Sequence, residues 1–379
     1  MFKSKQCMIQ RILHDQLQNH LFSKKAIVLM GARQVGKTTL LKNIFTNSED
    51  VLWLNGDELD VLELFKNANA VRLKLFFGNK KIVIIDEAQR IPDIGLRLKL
   101  IADNLPDIQL LATGSSSFEL ANHLNEPLTG RKWEYKMFPV SFKEMVNYHG
   151  LLEEKRSLNH RLVYGSYPEV ITNIGNEKSI LKHLTDSFLY KDILMLEQIK
   201  KPDKIIKLLQ ALAFQIGSQV SYSELGQIVG LDSKTIEKYI LVLEQSYVIF
   251  RLGSFSRNLR NELKSSKKIY FFDNGVRNAL IANFEIAEMR TDIGMLWENY
   301  LVAERIKKLT YDNIWSNYWF WRTKEQKEID FIEESNGVIM AYEFKWNPNV
   351  KVKVPRNFIE NYSAAFKVIT PSNYEEFLL

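Results

Sequence analysis

The stretch GARQVGKT at residues 31–38 has the composition and spacing of a loop that binds phosphate. Glycines at its two ends let backbone N–H groups approach an anion, and a lysine and a threonine follow directly. In this pattern the lysine bridges the β- and γ-phosphates and the threonine hydroxyl joins the Mg²⁺ shell. The sequence therefore predicts a site for ATP and Mg²⁺ whose contact residues are Gly31, Ala32, Arg33, Gln34, Val35, Gly36, Lys37, Thr38 and Thr39.

A pair of acids follows the apolar run at residues 82–85. Such a run is typical of a buried parallel strand, and ligands bind at the carboxyl ends of these strands. We expect Asp86 to hold Mg²⁺ through water and Glu87 to polarise the water that attacks the γ-phosphate. A third strand, IQLLATGSSS, is expected to bring Thr113 or Ser115 to the same phosphate.

Arg131, in the segment LTGRKW, is a candidate arginine finger for the same reaction. It would stabilise the charge of the transition state, either in cis or from a neighbouring subunit. The alternative is an ordinary surface arginine. The sequence leaves the oligomeric state open, since a homo-oligomeric ring would let Arg131 act in trans and a monomer would leave hydrolysis weak.

A second group of charged residues lies near the end of the chain. Glu298 stands in the amphipathic stretch TDIGMLWENYLVAERIKKL, Asp330 in the alternating run EIDFIE, and Glu343 and Lys345 on one face of YEFKW. A helix Glu, a strand Asp and then E-x-K is the pattern of the restriction-endonuclease-like fold. The three carboxylates would bind Mg²⁺, and the lysine would activate water for phosphodiester cleavage. The alternative is a nuclease-shaped, DNA-binding domain in which these groups form structural salt bridges.

The middle of the chain has the pattern of a winged helix-turn-helix. Ser221 and Glu224 form a capping-box signature at the start of a first helix. After GLD, the stretch SKTIEKYILVLEQS places Ile236, Ile240 and Leu243 on one side of a second helix. The runs YVIFRL and KKIYFFD then predict the two strands of the wing.

The basic excess of the chain is concentrated in this middle region. From Lys201 to Lys268 there are 11 Lys and Arg against 6 Asp and Glu, a surplus of +5 in a chain of net charge +6. This is a candidate footprint for DNA. The mixed charge of Lys234, Glu237 and Lys238 favours reading of shape over sequence, and hence duplex or branched DNA. The alternative is a lid or a protein-docking module.

Composition limits the compartment. The single cysteine, Cys7, cannot form an intrachain disulfide, which is typical of a reducing cytoplasm. No apolar run approaches the ~18 residues needed to span a bilayer. We therefore expect a cytoplasmic protein without a membrane partner.

The strings GARQVGKTTLL, IIDEAQRIPD, LLATGSSSFEL, LTGR, FPVSFKEM and YGSYPEV resemble, in their order, the bacterial and archaeal AAA-type ATPases joined to a C-terminal domain of unknown function. The resemblance extends over essentially the whole chain. It implies an α/β protein with a parallel-sheet, AAA-like ATPase domain at residues 1–150, a helical linker and winged helix at 151–285, and an α/β, restriction-endonuclease-like domain at 286–379.

The expected function is ATP hydrolysis linked to DNA. In this interpretation ATP drives domain rearrangement, DNA stimulates turnover, and branched or distorted DNA in repair or recombination is the target. The C-terminal domain would engage or cut a strand. Two alternatives stay open: a nucleotide-switched regulator that binds DNA or protein without cleavage, and a non-enzymatic scaffold whose nuclease fold only binds.

Overall fold

The computed structural model describes residues 8–46, 48–114, 128–188, 201–257, 267–323 and 325–379. The chain divides into two compact units. The first comprises Met1–Phe138 and Gln245–Tyr247, and the second comprises Pro139–Glu244 and Val248–Leu379. Among the described residues, no helix is long and apolar enough to cross a bilayer.

The first unit is built on a five-stranded sheet in which every pair of neighbours is parallel, in the order β2-β3-β4-β1-β5. Its strands are β1 (Ala26–Met30), β2 (Val51–Asn55), β3 (Ile82–Asp86), β4 (Gln109–Gly114) and β5 (Lys132–Lys136). Its helices are α1 (Leu13–Asn19), α2 (Lys37–Ile44), α3 (Leu59–Lys66), α4 (Ala70–Phe77) and α5 (Ile94–Asn104). The central strands β1 and β4 are buried throughout, as expected for a parallel sheet covered on both faces. The predicted α/β fold class is confirmed.

The register of these strands brings three predicted site residues to one edge of the sheet. Leu29 pairs with Thr113 and Ile85 with Ala112, so β1, β3 and β4 end at the same level. Gly31 follows β1, Asp86 ends β3, and Thr113 lies at the end of β4.

The second unit contains twelve described helices and seven strands. The helices are α6 (Phe142–His149), α7 (Leu151–Arg156), α8 (Leu158–Tyr164), α9 (Pro168–Thr172), α10 (Glu177–Phe188), α11 (Pro202–Phe214), α12 (Tyr222–Val229), α13 (Ser233–Gln245), α14 (Asn274–Leu280), α15 (Ile293–Tyr311), α16 (Arg356–Tyr362) and α17 (Glu375–Leu378). The strands are β6 (Gln219–Val220), β7 (Ile249–Ser254), β8 (Lys267–Phe271), β9 (Asn317–Arg322), β10 (Glu328–Ser335), β11 (Val338–Phe344) and β12 (Ala365–Ile369).

All seven strands form one sheet in the order β12-β11-β10-β9-β7-β8-β6. The elements predicted for the winged helix are present, and the Ser221 side chain caps α12 by accepting from the N–H of Glu224 at 3.4 Å. Strand β7 pairs in parallel with β9, where Gly253 lies beside Trp319. This pairing joins β6–β8 to β9–β12 in a single hydrogen-bonded layer. The winged-helix assignment itself stays a prediction.

Strand β10 carries an irregularity that matters for the charged residues. Its pairing with β9 shifts by one residue between Ile329 and Ile332, which is the signature of a β-bulge. Bulges bend a strand and re-aim its side chains. Asp330 lies in this bulge, while Ile329 and Ile332 belong to the core cluster of Phe255, Ile329, Ile332, Ile339, Ala341, Phe358 and Ala364, against which Trp319 and Trp321 pack.

Candidate functional site

The predicted phosphate loop connects β1 to α2, and two glycines shape it. A Cβ at Gly31 would lie 2.1 Å from the carbonyl oxygen of Met137, so no larger residue fits there. Gly36 has φ of 99°, in the region that favours glycine, and it is the residue before the first turn of α2. The loop and the N-terminal amides of α2 therefore present backbone N–H groups together, which is the arrangement that binds anions.

Arg11, which sequence reasoning missed, stabilises this loop. Its buried guanidinium donates to the carbonyl of Val35 in the loop and to the carbonyl of Phe138, both at 2.6 Å. No sequence motif marks this arginine, because it lies outside the loop and before α1. The contact fixes the conformation of the loop and ties it to the end of the first unit.

The polar side chains at the carboxyl edge of the sheet form one connected group. The Thr38 hydroxyl donates to Oδ2 of Asp86 at 2.7 Å, and the buried Thr113 hydroxyl donates to Oδ1 of the same carboxylate. Lys37 donates to the carbonyls of Gly31 and Ala32, each at 2.8 Å. Four predicted site residues, Lys37, Thr38, Asp86 and Thr113, are thus brought together.

Glu87 lies beside this group in an unusual conformation. Its φ is 50°, and its N–H faces Oδ1 of Asp86 at 3.2 Å and Oγ1 of Thr113 at 3.3 Å. Gln89 donates to its Oε2 at 2.5 Å, which orients the carboxylate. Gly56, after β2, makes room for it, since a Cβ there would lie 2.4 Å from the Glu87 carbonyl oxygen. Left-handed backbone at a non-glycine residue costs energy, so the surrounding contacts must hold Glu87 in this conformation.

The remaining loop residues contribute mainly through their backbone. Ala32 and Val35 are fully buried, Arg33 is partly exposed, and Gln34 and Thr39 are exposed. The buried side chains anchor the loop. Ser115 lies outside the described residues.

Arg131 is not brought to this site within the chain. It precedes β5, and Lys132 pairs with Ala26 at the start of β1 while the loop follows the end of β1. Arg131 is therefore at the opposite edge of the sheet, in an exposed ion pair with Asp103 at 2.6 Å. This placement is incompatible with an arginine finger in cis and leaves a role in trans as a prediction.

The charged residues of the second unit also come together, from one helix and two strands. Glu298 lies on α15, Asp330 on β10, Glu343 near the end of β11, and Lys345 directly after it. The Phe344 N–H donates to Oδ2 of the buried Asp330 at 2.8 Å. Lys345 donates to Oε1 of Glu343 at 2.7 Å, which is one of the two salt bridges of the alternative, Glu343–Lys345 and Asp330–Lys345.

Burial raises the pKa of Asp330 well above its usual value, and the negative charges of Glu298 and Glu343 add to this effect. Lys268 and the Phe344 N–H oppose it. Burial likewise raises the pKa of Glu343, although Lys345 opposes the shift. Burial is the largest single effect on the pKa of Lys345 and lowers it, but the hydrogen bond to Glu343 and the negative charges of Glu343, Asp330 and Glu298 together raise this pKa overall.

Strand β8 adds two residues to this cluster that sequence reasoning missed. The buried Lys268 ammonium lies 2.9 Å from Oε1 of Glu298 and 2.5 Å from Oε1 of Glu328. The Tyr270 hydroxyl donates to the same Oε1 of Glu298 at 2.6 Å. Glu298, predicted as a metal ligand, is thus already bonded to a cation and a hydroxyl. We call Lys268, Glu298, Glu328, Asp330, Glu343 and Lys345 the carboxylate–lysine cluster.

This cluster does not fit the Mg²⁺ that the sequence pattern predicts there. Within the described parts of the chain, no three Asp, Glu, His or Cys side chains converge in a way that would hold a metal ion. Cation-binding cages need several oxygen ligands directed at one point. Here the carboxylates are directed at lysine ammonium groups or at a backbone N–H instead.

Family comparisons divide the chain into three parts. Residues 23–146 match the AAA domain, residues 155–287 match a domain of unknown function (DUF8612), and residues 293–376 match another (DUF4143). An uncharacterized protein of Mycobacterium tuberculosis is 25% identical over 97% of this chain and 82% of its own length. One from Methanocaldococcus jannaschii is 23% identical over 85% of this chain and 75% of its own.

Among solved structures, the Walker-type ATPase of Pyrococcus abyssi is 15% identical, with a TM-score of 0.49 over 73% of this chain and 97% of that one. The family match to the AAA domain includes the loop at Gly31–Thr38 and the acids Asp86 and Glu87. The protein therefore has an N-terminal P-loop ATPase domain of the AAA type and a C-terminal domain of the DUF4143 family.

Proposed function

We propose that the protein is a Mg²⁺-dependent ATPase whose turnover is coupled to DNA binding by its second unit. The observation that carries the coupling is a chain of contacts within the first unit. Arg11 bonds the phosphate loop at Val35 and also bonds Phe138. The Phe138 ring packs edge-on against Tyr247, with centroids 6.3 Å apart, and Tyr247 follows the candidate recognition helix α13 by two residues.

The oxygen atoms at the nucleotide site suit Mg²⁺. A threonine hydroxyl and a carboxylate are hard ligands, and those of Thr38 and Asp86 already lie 2.7 Å apart. When bound, Mg²⁺ would neutralise charge on the phosphates. Lys37 would hold the β- and γ-phosphates, while Glu87, oriented by Gln89, would accept a proton from the attacking water.

Exposed cations on the second unit support a DNA partner. Lys234 and Lys238 are exposed on α13. The segment between Trp346 and Ile359 contains Lys351, Lys353 and Arg356, all exposed, and no acid. Phosphate contacts from such residues confer affinity with strong salt dependence and little sequence reading. Duplex or branched DNA is therefore the partner that we propose.

The test is ATP hydrolysis by the purified protein alone, with linear duplex and with a four-way junction, with Lys37→Ala as the blank. The proposal predicts stimulation by DNA, largest with the junction, and loss of stimulation as salt is raised. Equal stimulation by duplex and junction would retain DNA coupling and reject the preference for branched DNA.

A slow rate of ATP hydrolysis that is the same with and without either DNA would reject the coupling and favour the nucleotide-switched regulator. We do not extend the proposal to DNA cleavage, because Glu298 is bonded to Lys268 and Tyr270. DNA cleavage is tested by nicking assays on the same preparations. Nicking that requires Mg²⁺ and is lost in Asp330→Ala would add DNA cleavage to the proposed function.

A further inference from the structure

The carboxylate–lysine cluster has a buried lysine bonded to Glu298, one of the residues predicted to bind a metal ion. The Lys268 side chain is only 3% exposed, and its ammonium lies within 2.9 Å of two carboxylates from different elements, Glu298 on α15 and Glu328 on β10. It also lies 5.4 Å above the ring of Phe320. Few lysines are buried this completely, and those that are need compensating charge.

The charge balance explains why the cluster needs this cation. Glu298, Glu328, Asp330 and Glu343 bring four carboxylates to one neighbourhood, and Lys345 is paired with Glu343. The Nε of Arg322 lies 3.5 Å from the other oxygen of Glu328, Oε2. Among the described residues, Lys268 is the buried cation that bonds both Glu298 and Glu328, and its charge also acts on Asp330.

We infer that Lys268 is an internal cation that occupies the place of a divalent metal, and that the native cluster is a metal-free, structural ion-pair network. The ammonium bonds Glu298, a predicted metal ligand, together with Glu328, and it holds β8 against α15. This inference is independent of the proposed ATPase–DNA coupling, because it concerns a different site and needs neither nucleotide nor DNA.

The test is Mn²⁺ binding without nucleotide, followed by electron paramagnetic resonance, together with thermal unfolding in the presence and absence of Mn²⁺. The full-length protein is compared with Lys268→Met, which keeps the length of the side chain but removes its charge, and with Lys268→Arg, which keeps the charge. Asp330→Asn, alone and combined with Lys268→Met, identifies binding at the cluster.

We expect the native protein to bind no Mn²⁺ at the cluster, so Asp330→Asn should leave its Mn²⁺ binding unchanged. Lys268→Arg should likewise bind no Mn²⁺ at the cluster. Lys268→Met should unfold at a lower temperature without metal and regain stability with Mn²⁺. It should bind Mn²⁺ at least about tenfold more tightly than the native protein, since affinity follows the net charge of the ligands. The double variant should lose this gain.

Native binding of Mn²⁺ that disappears in Asp330→Asn would overturn the inference, because the cluster would then be a metal site despite Lys268. A folded Lys268→Met variant that gains nothing from Mn²⁺ would also overturn it. If Lys268→Met does not fold, the comparison of the native protein with Asp330→Asn still shows whether the native cluster binds Mn²⁺ or not.

Discussion

The hydroxyl of Thr38 and the carboxylate of Asp86 are joined by a 2.7 Å hydrogen bond, although the two residues are 48 positions apart in the chain. The bond holds together the first residues of α2 and the last residue of β3. Two ligands suited to Mg²⁺ are thus positioned by the fold itself, and pre-positioned charge is what lowers a barrier most effectively.

Replacing Thr38 by alanine should therefore reduce kcat for ATP hydrolysis by about 10²-fold, the usual cost of one pre-positioned group. Thr38→Ser keeps the hydroxyl and is the matched control, which we expect to remain active. Steady-state hydrolysis at several Mg²⁺ concentrations is the measurement. Equal activity of the two variants would place the Mg²⁺ elsewhere.

Glu87→Gln should separate binding from hydrolysis. The amide keeps the shape of the side chain beside Gln89 but cannot accept a proton at neutral pH. We expect nearly native affinity for ATP, measured with a fluorescent analogue, and turnover lower by about 10²-fold or more. Native turnover would show that Glu87 is not the general base.

Arg11→Ala should weaken ATP binding and the fold of the first unit together. The carbonyls of Val35 and Phe138 would lose buried, charged donors, and each unsatisfied group costs about 1–3 kcal/mol. Urea unfolding and ATP titration measure the two effects.

Arg131→Ala is the matched control for Arg11→Ala. Its ion pair with Asp103 is exposed, with 46% of the arginine side chain accessible, so we expect a change within about 1 kcal/mol. If this variant loses turnover while remaining stable, and the loss appears only at protein concentrations that permit assembly, the role in trans is supported.

Asp330→Asn should stabilise the second unit at neutral pH. Since the pKa of Asp330 is raised on folding, the folded chain binds more protons than the unfolded chain between the ordinary value of 3.8 and the folded value. The free energy of unfolding therefore falls as pH rises through this window, and asparagine removes that loss.

We expect an advantage for Asp330→Asn on the order of 1 kcal/mol at neutral pH, which shrinks as the pH is lowered toward 5. Urea unfolding of both proteins between pH 5 and 8 measures the difference. A difference that does not depend on pH would mean that Asp330 keeps its usual pKa in the folded protein.

Tyr247→Ala should remove DNA stimulation while leaving the basal rate of ATP hydrolysis close to native. The change deletes the ring that packs against Phe138 but touches neither the phosphate loop nor the exposed cations. Tyr247→Phe keeps the ring and should keep the stimulation. Unchanged stimulation in both variants would mean that coupling takes another route.

The nucleotide site could be predicted from the sequence because its determinants are local. The glycines, Lys37 and Thr38 occupy one short loop, and Asp86 and Glu87 directly follow a recognisable strand. The placement of Arg131 could not be predicted in this way. A motif gives the residue type, but only the direction and register of β5 show that Arg131 lies at the opposite edge of the sheet from the loop.

Arg11 and Lys268 were missed for a related physical reason. Each acts through long-range contacts that carry no local signal: Arg11 bonds a carbonyl 127 positions away, and Lys268 pairs with acids on α15 and β10. The run KKIYFFD predicts a strand, but it does not tell which lysine faces inward among carboxylates. That depends on pairing with β7 and on packing against α15.

The parallel pairing of β7 with β9 also limits how the protein can be shortened. A truncated chain ending at residue 285 would lose β9–β12 and leave β7 with an open row of backbone N–H and C=O groups. Exposed strand edges of this kind form hydrogen bonds with strands of other chains. Fragments cut between the DUF8612 and DUF4143 matches should therefore aggregate, whereas a fragment containing residues 139–379 keeps every strand of the sheet paired.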